Sequence, residues 1–367
     1  MQLMPFLRML VRRAALPGFF GIFMGAVFAN EVTLSMQSYT DSSTTILVPA
    51  LGLRLGLWTG GTLAASVKYD VISAASEQRS TTADVVSGAT SREGRFMTTL
   101  NLTQLAGLWN FRIGGYFSHE PDYGAMAVSF EVSRELFEKN TTLSLSGSYG
   151  ADTITSIDDP LFHETASRYS VSVGVSQILS PKLIAKVSGS YSRVQGYQSN
   201  PYRFALRDAA FPAFDNTEKL PDDHNRYVLA FRVNWYLVPI RGALHAGYRF
   251  YDDDWGVTSH ELFSRLYKYF SDQLVANLQL RFHTQTGADF YKAVFTQAES
   301  YMTSFEKYAP GNTVLVSIGA QYTLKIDQAS ILAFLDGMRF NGEVGAYRRS
   351  ADANTGLIGQ VAVTWKW

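Results

Sequence analysis

Basic side chains recur on the polar faces of four consecutive segments whose apolar and polar residues alternate. Those faces carry Arg232, Arg249, Glu261, Arg265, Arg281 and His283. A row of guanidinium groups along a water-filled passage attracts anions. The same arginines can instead pair with neighbours such as Glu261 and only satisfy buried charge. Both interpretations remain open, and an unchanged ion selectivity after charge reversal at Arg249 and Arg281 would exclude the first.

Residues suited to hydrolysis come together in sequence at one place. Ser259 and His260 follow Asp254 closely, and a hydrolase needs a nucleophile within hydrogen-bond reach of a base. Adjacent residues of a strand point to opposite faces, so Ser259 and His260 cannot readily meet. We therefore predict that the protein is not an enzyme and has neither catalytic residues nor a cofactor.

Three consecutive carboxylates mark a tight turn at Asp252, Asp253, Asp254, Trp255 and Gly256. Carboxylate oxygens can bind a divalent cation. Consecutive side chains at a loop tip usually diverge, so a turn in water is the preferred interpretation and no metal site is predicted. In this interpretation the aspartates face water, and Trp255 lies in the aromatic belt at the membrane interface.

The elements that must position these residues are strands, because apolar and polar residues alternate along most of the chain. The last residues illustrate the pattern, since Val361, Val363, Trp365 and Trp367 fall on one face. We predict an all-β transmembrane antiparallel barrel of about sixteen strands, with fourteen or eighteen as alternatives. The predicted strands are 31–40, 46–57, 62–74, 93–105, 107–119, 123–135, 140–152, 165–178, 182–195, 224–238, 242–253, 257–269, 272–285, 312–326, 338–349 and 354–367.

The connections alternate between short turns and long loops, as in outer-membrane barrels with short periplasmic turns and long extracellular loops. The long ones are 75–92, 153–164, 196–223 and 286–311. The segment Asp327–Gly337 is longer than a periplasmic turn needs to be, and it makes the strand count uncertain. Aromatic residues in the third loop predict a gate that folds into the lumen, formed by Tyr202, Phe204, Phe211 and Phe214. Part of 290–310 is predicted as a short amphipathic helix.

The amino terminus and the composition indicate export. Arg8, Arg12 and Arg13 precede an apolar run that ends near Ala29, so residues 1–29 are predicted as a signal peptide and 30–367 as one barrel domain. The chain has no cysteine, which excludes disulfides and thiol chemistry. Its 32 basic and 32 acidic residues balance, so the charge does not indicate a nucleic-acid partner.

Several stretches resemble a family of bacterial outer-membrane β-barrel proteins known as domain of unknown function 3570 (DUF3570). These stretches are Tyr248–His260, Arg281–Tyr291, Ser87–Thr90, Gly115–Tyr123, Asn200–Tyr202 and Pro221–Asp223. They are distributed over nearly all of the chain after residue 30. His283 stands where the family pattern favours an aromatic residue. The resemblance implies an outer-membrane barrel and no particular solute.

A barrel of this size with polar inward faces predicts a passive porin-like channel or solute-binding barrel for small polar solutes. A preference for anions follows only under the first of the two interpretations of the inward arginines. The alternative is a barrel plugged by its loops that serves as a scaffold or sleeve for a periplasmic or surface partner. The expected location is the bacterial outer membrane. The expected partners are outer-membrane lipid, lipopolysaccharide, small solutes and the barrel-assembly machinery, which would read the terminal Trp367 as an assembly signal.

Overall fold

The computed structural model describes residues 30–41, 44–74 and 93–367, which form one closed antiparallel barrel of sixteen strands. Each strand pairs with its neighbours in sequence, and β1 closes the barrel on β16. The strands are β1 Glu31–Thr40, β2 Thr44–Trp58, β3 Gly61–Ala74, β4 Glu93–Ala106, β5 Trp109–His119, β6 Tyr123–Leu136, β7 Thr141–Thr155, β8 His163–Ser180, β9 Leu183–Gly196, β10 Asp223–Leu237, β11 Gly242–Asp253, β12 Thr258–Tyr269, β13 Leu274–Gln285, β14 Gly311–Thr323, β15 Arg339–Arg349 and β16 Thr355–Lys366. The predicted fold and strand count are confirmed.

Alternation along the strands decides which side chains face outward. In β16, Val361 and Val363 lie on the outer face, while Thr364 is buried on the inner face and its hydroxyl lies 3.0 Å from that of Thr33 in β1. Backbone hydrogen bonds between Asn30 and Trp367 extend this pairing past the end of both strands. The terminal strand therefore closes the barrel through its pairing with β1.

Large apolar side chains cover the outside of the barrel and remain exposed in the isolated chain. They come from all parts of the sheet and include Leu34, Leu100, Ile113, Met126, Val173, Leu229, Leu280, Ile318 and Val361. A band of this kind is stable against lipid hydrocarbon, whereas in water it would be an exceptionally large exposed apolar surface. No helix in the described ranges has both the length and the apolar composition needed to span a membrane.

The two ends of the barrel differ in their connections. At one end, here called the turn side, strands are joined by connections such as Thr59–Gly60 and by the short 3-10 helix Val238–Ile240. The exception is the segment between β14 and β15, which contains the 3-10 helix Ala333–Leu335 and adds no strand. The opposite end, the loop side, has the long connections 197–222 and 286–310. Residues 1–29 and 75–92, which include the predicted signal peptide and the first long loop, lie outside the described residues.

The buried apolar residues of the described chain lie at the loop side rather than along the middle of the lumen. One cluster includes Tyr123, Ile154 and Val194 on the inner faces of the strands. Two others join the long loops to the strand ends. The fold thus concentrates its packed core at one mouth of the barrel and leaves polar side chains along the wall below it.

Candidate functional site

One part of the inner wall is lined by serine hydroxyls. The strand register places Ser129, Ser148, Ser170 and Ser192 side by side on four neighbouring strands, and Ser148 lies 2.7 Å from Ser170 between hydroxyl oxygens. The same faces carry Ser133, Ser144, Ser146, Ser172, Ser176, Ser188 and Ser190. Small hydroxyls leave room and offer both donors and acceptors, so this wall accommodates water and polar solutes.

Next to the serine wall lies a basic cluster, formed by Lys186, Arg232, Arg249, Glu261 and Arg281. Arg249 donates to Glu261 at 3.0 Å and Arg281 donates to the same carboxylate oxygen at 2.5 Å. The five side chains border one cavity of about 380 Å³. They carry four formal positive charges and one negative charge, so the cluster has an excess of positive charge.

Lys186 and Arg232 are the two cations of the cluster that have no counterion in the described part of the chain. They stand directly opposite each other on β9 and β10. Among the described residues, neither has a carboxylate within ion-pair distance, and Arg232 lies over the ring of Phe263 with its guanidinium carbon 5.0 Å from the ring centroid. Like charges directly opposite on adjacent strands destabilise a sheet. The register therefore places two positive charges side by side on the inner wall.

The predicted arginine row differs from this arrangement at Arg265. Its guanidinium donates to Gln279 and, at 3.1 Å, to Glu343, which also accepts from Ser317 at 2.7 Å. Arg265 is therefore neutralised locally. His283 lies opposite Glu261 on the inner face of β13. The sequence identified the inward arginines but not Lys186 as the partner of Arg232, because the register between β9 and β10 is set across a long loop.

Above the basic cluster, towards the loop side, a second cavity of about 440 Å³ lies beneath the long loops, and we call it the outer chamber. Its walls come from the inner faces of β6 to β13, and its roof comes from the two long loops. Arg249 borders both the outer chamber and the cavity of the basic cluster. The chamber lining includes Tyr123, Ile154, Ala166, Arg168, Val194, Tyr197, Asn200, Arg203, Arg226, Trp255, Phe305 and Tyr308.

The two long loops pack against each other over the mouth of the barrel. Lys219 and Met302 exchange backbone hydrogen bonds of 3.0 and 2.8 Å. Arg207 and Phe295 form an isolated parallel β-bridge. Glu218 is 2 % exposed and accepts from the backbone of Asn200 at 3.0 Å and from the Thr303 hydroxyl at 2.6 Å. A buried carboxylate with these donors fixes the position of the roof.

The aromatic residues predicted as a gate occupy different positions within this roof. Phe204 and Phe211 are 54 % and 45 % exposed, and neither borders the outer chamber. Tyr202 accepts a hydrogen bond from the backbone N–H of Ile157 at 2.7 Å, and Phe214 packs on a loop cluster. The side chains of this loop that border the chamber include Gln198, Asn200 and Arg203 instead. Aromatic content therefore indicated an ordered loop but not which residues face inward.

The prediction for the Asp252–Gly256 turn was wrong in two respects. Trp255 is 5 % exposed and stacks on His224 with a centroid separation of 3.7 Å, so it is not part of an interfacial belt. Asp253 is buried and accepts from the backbone of Trp255 and Val257 at 3.0 and 2.8 Å. The stacking partner and the loop aromatics that enclose Trp255 are distant in sequence, which explains why the local pattern gave no sign of them.

The other two carboxylates of the turn point elsewhere, as consecutive side chains usually do. Asp252 accepts from the Thr258 hydroxyl, and Asp254 accepts from Asn225. In the part of the chain that the structure describes, no three histidine, aspartate or glutamate side chains form a group that could hold a metal ion. The carboxylates of this turn thus organise the chain locally.

The residues considered for hydrolysis are separated by the barrel wall. His260 lies on the outer face, where its Nδ1 atom is 2.7 Å from the Tyr248 hydroxyl. Ser259 is buried on the inner face and borders the outer chamber. The nucleophile and the base therefore face opposite sides of the sheet.

Burial shifts the pKa of two groups on the loop side. It raises the pKa of the Asp122 carboxyl above its ordinary value, while the neighbouring Tyr202 hydroxyl opposes that rise. It also raises the pKa of Tyr197 to about 12, and the negative charge of Glu218 adds to this rise. Tyr197 is thus a neutral hydroxyl at physiological pH.

Comparison with solved structures finds the same fold in other proteins. CdiB from Acinetobacter baumannii superposes with a TM-score of 0.55 at 8% identity over 94% of this chain and 61% of that chain. A bacterial polysaccharide outer membrane secretin gives 0.53 at 6% identity over 92% and 98%. OccD3 (OpdP) from Pseudomonas aeruginosa gives 0.47 at 10% identity over 92% and 91%. At these identities the similarity concerns the fold, which is that of outer-membrane β-barrels.

The family follows from the sequence itself. The family model described as "Protein of unknown function (DUF3570)" matches residues 26–169 and 159–365, and the chain belongs to this family. The resemblance inferred from the motif residues is confirmed. No curated protein matches the chain. The family description names no enzymatic activity.

Proposed function

We propose that this protein is a passive outer-membrane channel for small polar solutes and that it favours anions. The proposal depends chiefly on Lys186 and Arg232, two inward cations that stand opposite each other without a carboxylate in reach in the described chain. An anion beside them relieves the repulsion between them. A cation at the same place meets the excess positive charge of the basic cluster.

The dimensions and the wall of the barrel support passage. Barrels of about sixteen strands are wide enough for an aqueous channel. The serine wall beside the basic cluster is wettable, and the cluster projects into the same space. Arg249 borders both cavities, so it connects the outer chamber to the basic cluster.

The test is the reversal potential of the refolded protein in planar bilayers under a potassium chloride gradient. At about 5 Å in water, a unit charge changes the energy of a passing ion by about 0.8 kcal/mol, so reversing two charges changes it by roughly 3 kcal/mol before screening by salt. We expect anion preference in the intact protein and its loss or inversion when Lys186→Glu and Arg232→Glu are combined.

A matched control changes the same total charge outside the lumen, at Lys182→Glu and Lys325→Glu. Both residues are exposed in turn-side connections, so the selectivity should stay unchanged. Cation preference in the intact protein, or equal effects of the two double variants, would contradict the proposal.

The roof formed by the packed loops makes a second outcome informative. If the intact protein carries no current and deletion of residues 200–220 restores it, the channel is gated by its loops. Silence of both proteins, with folding verified, rules out the channel. The scaffold or sleeve for a partner would then become the favoured function, because a barrel closed by ordered loops presents a fixed surface.

A further inference from the structure

The outer chamber contains hydrogen-bond donors that no protein group satisfies. Arg168 Nε, Arg226 Nε and Asn200 Nδ2 are buried and have no hydrogen-bond partner among the described residues. All three atoms are donors, and all three residues border the same chamber. Asn200 is almost completely buried, with its side-chain oxygen already accepting from the backbone of Tyr202 at 2.8 Å. Buried donors without acceptors are costly, so the chamber is complementary to a group that only accepts hydrogen bonds.

The arginines that border the chamber point to an anion, and Lys307 adds a further basic side chain to the lining. Arg168, Arg203 and Arg249 pair with Asp152, Glu218 and Glu261 at 2.8, 3.5 and 3.0 Å. Arg226 is the remaining arginine of the lining, and the described chain places no carboxylate within ion-pair distance of it. One guanidinium without a counterion matches the single charge of a carboxylate, which accepts from its planar fork in a bidentate manner.

The rest of the chamber is suited to an apolar ring. Tyr123, Ile154, Ala166 and Val194 form a buried apolar patch on inner faces that otherwise carry hydroxyls and charges. Phe305 faces the chamber from the roof, with the Arg203 guanidinium carbon 3.6 Å from its ring centroid. Apolar residues beside a few convergent donors are typical of small-molecule sites, and about 440 Å³ lies within the range of such sites.

We infer that the outer chamber is a binding site for a small aromatic carboxylate, whose carboxylate accepts from Arg226 and its neighbouring donors while the ring contacts the apolar patch. This inference names the solute class of the proposed channel and so rests on the proposed function. The basic cluster then receives the same anion after it leaves the chamber, because Arg249 borders both spaces.

The test is equilibrium binding to the refolded protein in detergent, measured by calorimetry, so that no current is needed. Benzoate is the probe, with acetate as the anion without a ring and benzamide as the ring without a charge. Loss of one hydrogen bond to a charged group typically weakens binding by about tenfold or more. We expect benzoate to bind at least tenfold more tightly than either analogue, and Arg226→Gln to remove at least tenfold of its affinity.

Arg112→Gln is the matched control. Arg112 lies on the inner face of β5 outside the chamber and is paired with Glu131 at 3.1 Å. Its affinity for benzoate should equal that of the intact protein. Equal binding of acetate and benzoate would overturn the ring site, and equal binding of benzamide would overturn the anion site. An intact protein that binds no benzoate overturns the inference even if it conducts anions. Specific binding without current leaves the site standing and refutes only the channel.

Discussion

The buried carboxylate of Asp253 is expected to control the stability of the loop side. Its two oxygens accept four hydrogen bonds or short contacts, from the backbone of Trp255 and Val257 and from the side chains of Tyr251 and His224, at 3.0, 2.8, 2.5 and 2.9 Å. These contacts hold Trp255 against His224. Because both long loops pack around Trp255, the same carboxylate supports the roof of the outer chamber.

Asp253→Ala leaves two backbone N–H groups and the Tyr251 hydroxyl without their acceptor. Each orphaned buried donor costs roughly 1–3 kcal/mol, and because such losses are not additive we expect a total of about 3–5 kcal/mol. Asp253→Asn keeps one oxygen for the two backbone donors, so its cost should be about 1–2 kcal/mol. Equilibrium unfolding in urea of the protein refolded into lipid vesicles measures both values.

Asp254→Asn is the control at the neighbouring position, because the Asp254 side chain is exposed. We expect it to change the free energy of unfolding by no more than about 0.5 kcal/mol, as for most surface substitutions. If Asp253→Ala also falls within that value, the carboxylate does not organise the turn and the argument for the roof fails.

Three further expectations concern single residues. Burial raises the pKa of Asp122, so folding favours the protonated carboxyl. The protein is therefore more stable at low pH, and this stability is lost as the pH rises through the raised pKa. Asp122→Asn should raise the urea midpoint at pH 7 and leave it unchanged near pH 3. Gly256 has φ +83° and an added Cβ would lie 2.3 Å from Asp289 Oδ1, so Gly256→Ala should cost more than about 1 kcal/mol, whereas Gly124→Ala in open space should not. Deletion of Trp367 should lower barrel yield in cells and spare refolding in vitro if it serves as the assembly signal.

The strand pattern was predictable because lipid and water impose a two-residue period on every strand. The predicted bounds of β11, 242–253, equal the observed Gly242–Asp253, and the number of strands is correct. The loops obey no such period. The predicted helix within 290–310 is only the 3-10 turn Glu306–Tyr308, because that segment is shaped by contacts with 197–222 rather than by its own periodicity.

The candidate site was predictable at the level of faces but not of pairs. Parity alone places Arg232 and Arg249 inside the barrel. Whether each has a counterion depends on which residue the neighbouring strand presents at the same height. For Arg249 the neighbour is Glu261 across a short turn, while for Arg232 it is Lys186 beyond a long loop. A shift of the register by two residues would place Arg232 opposite Ser188 in one direction or Ile184 in the other, and it would preserve every face.

The distribution of paired and unpaired cations has a physical consequence for transport. A channel must bind its solute well enough to admit it and weakly enough to release it. In the described chain, Arg226 and the Lys186–Arg232 pair have no carboxylate within ion-pair distance, while Arg249 between them shares Glu261 with Arg281. In the proposed channel, the carboxylate of Glu261 would lower the attraction of this middle position, so stronger and weaker anion sites would alternate along the lumen. This alternation favours the movement of an anion along the wall over its retention at one place.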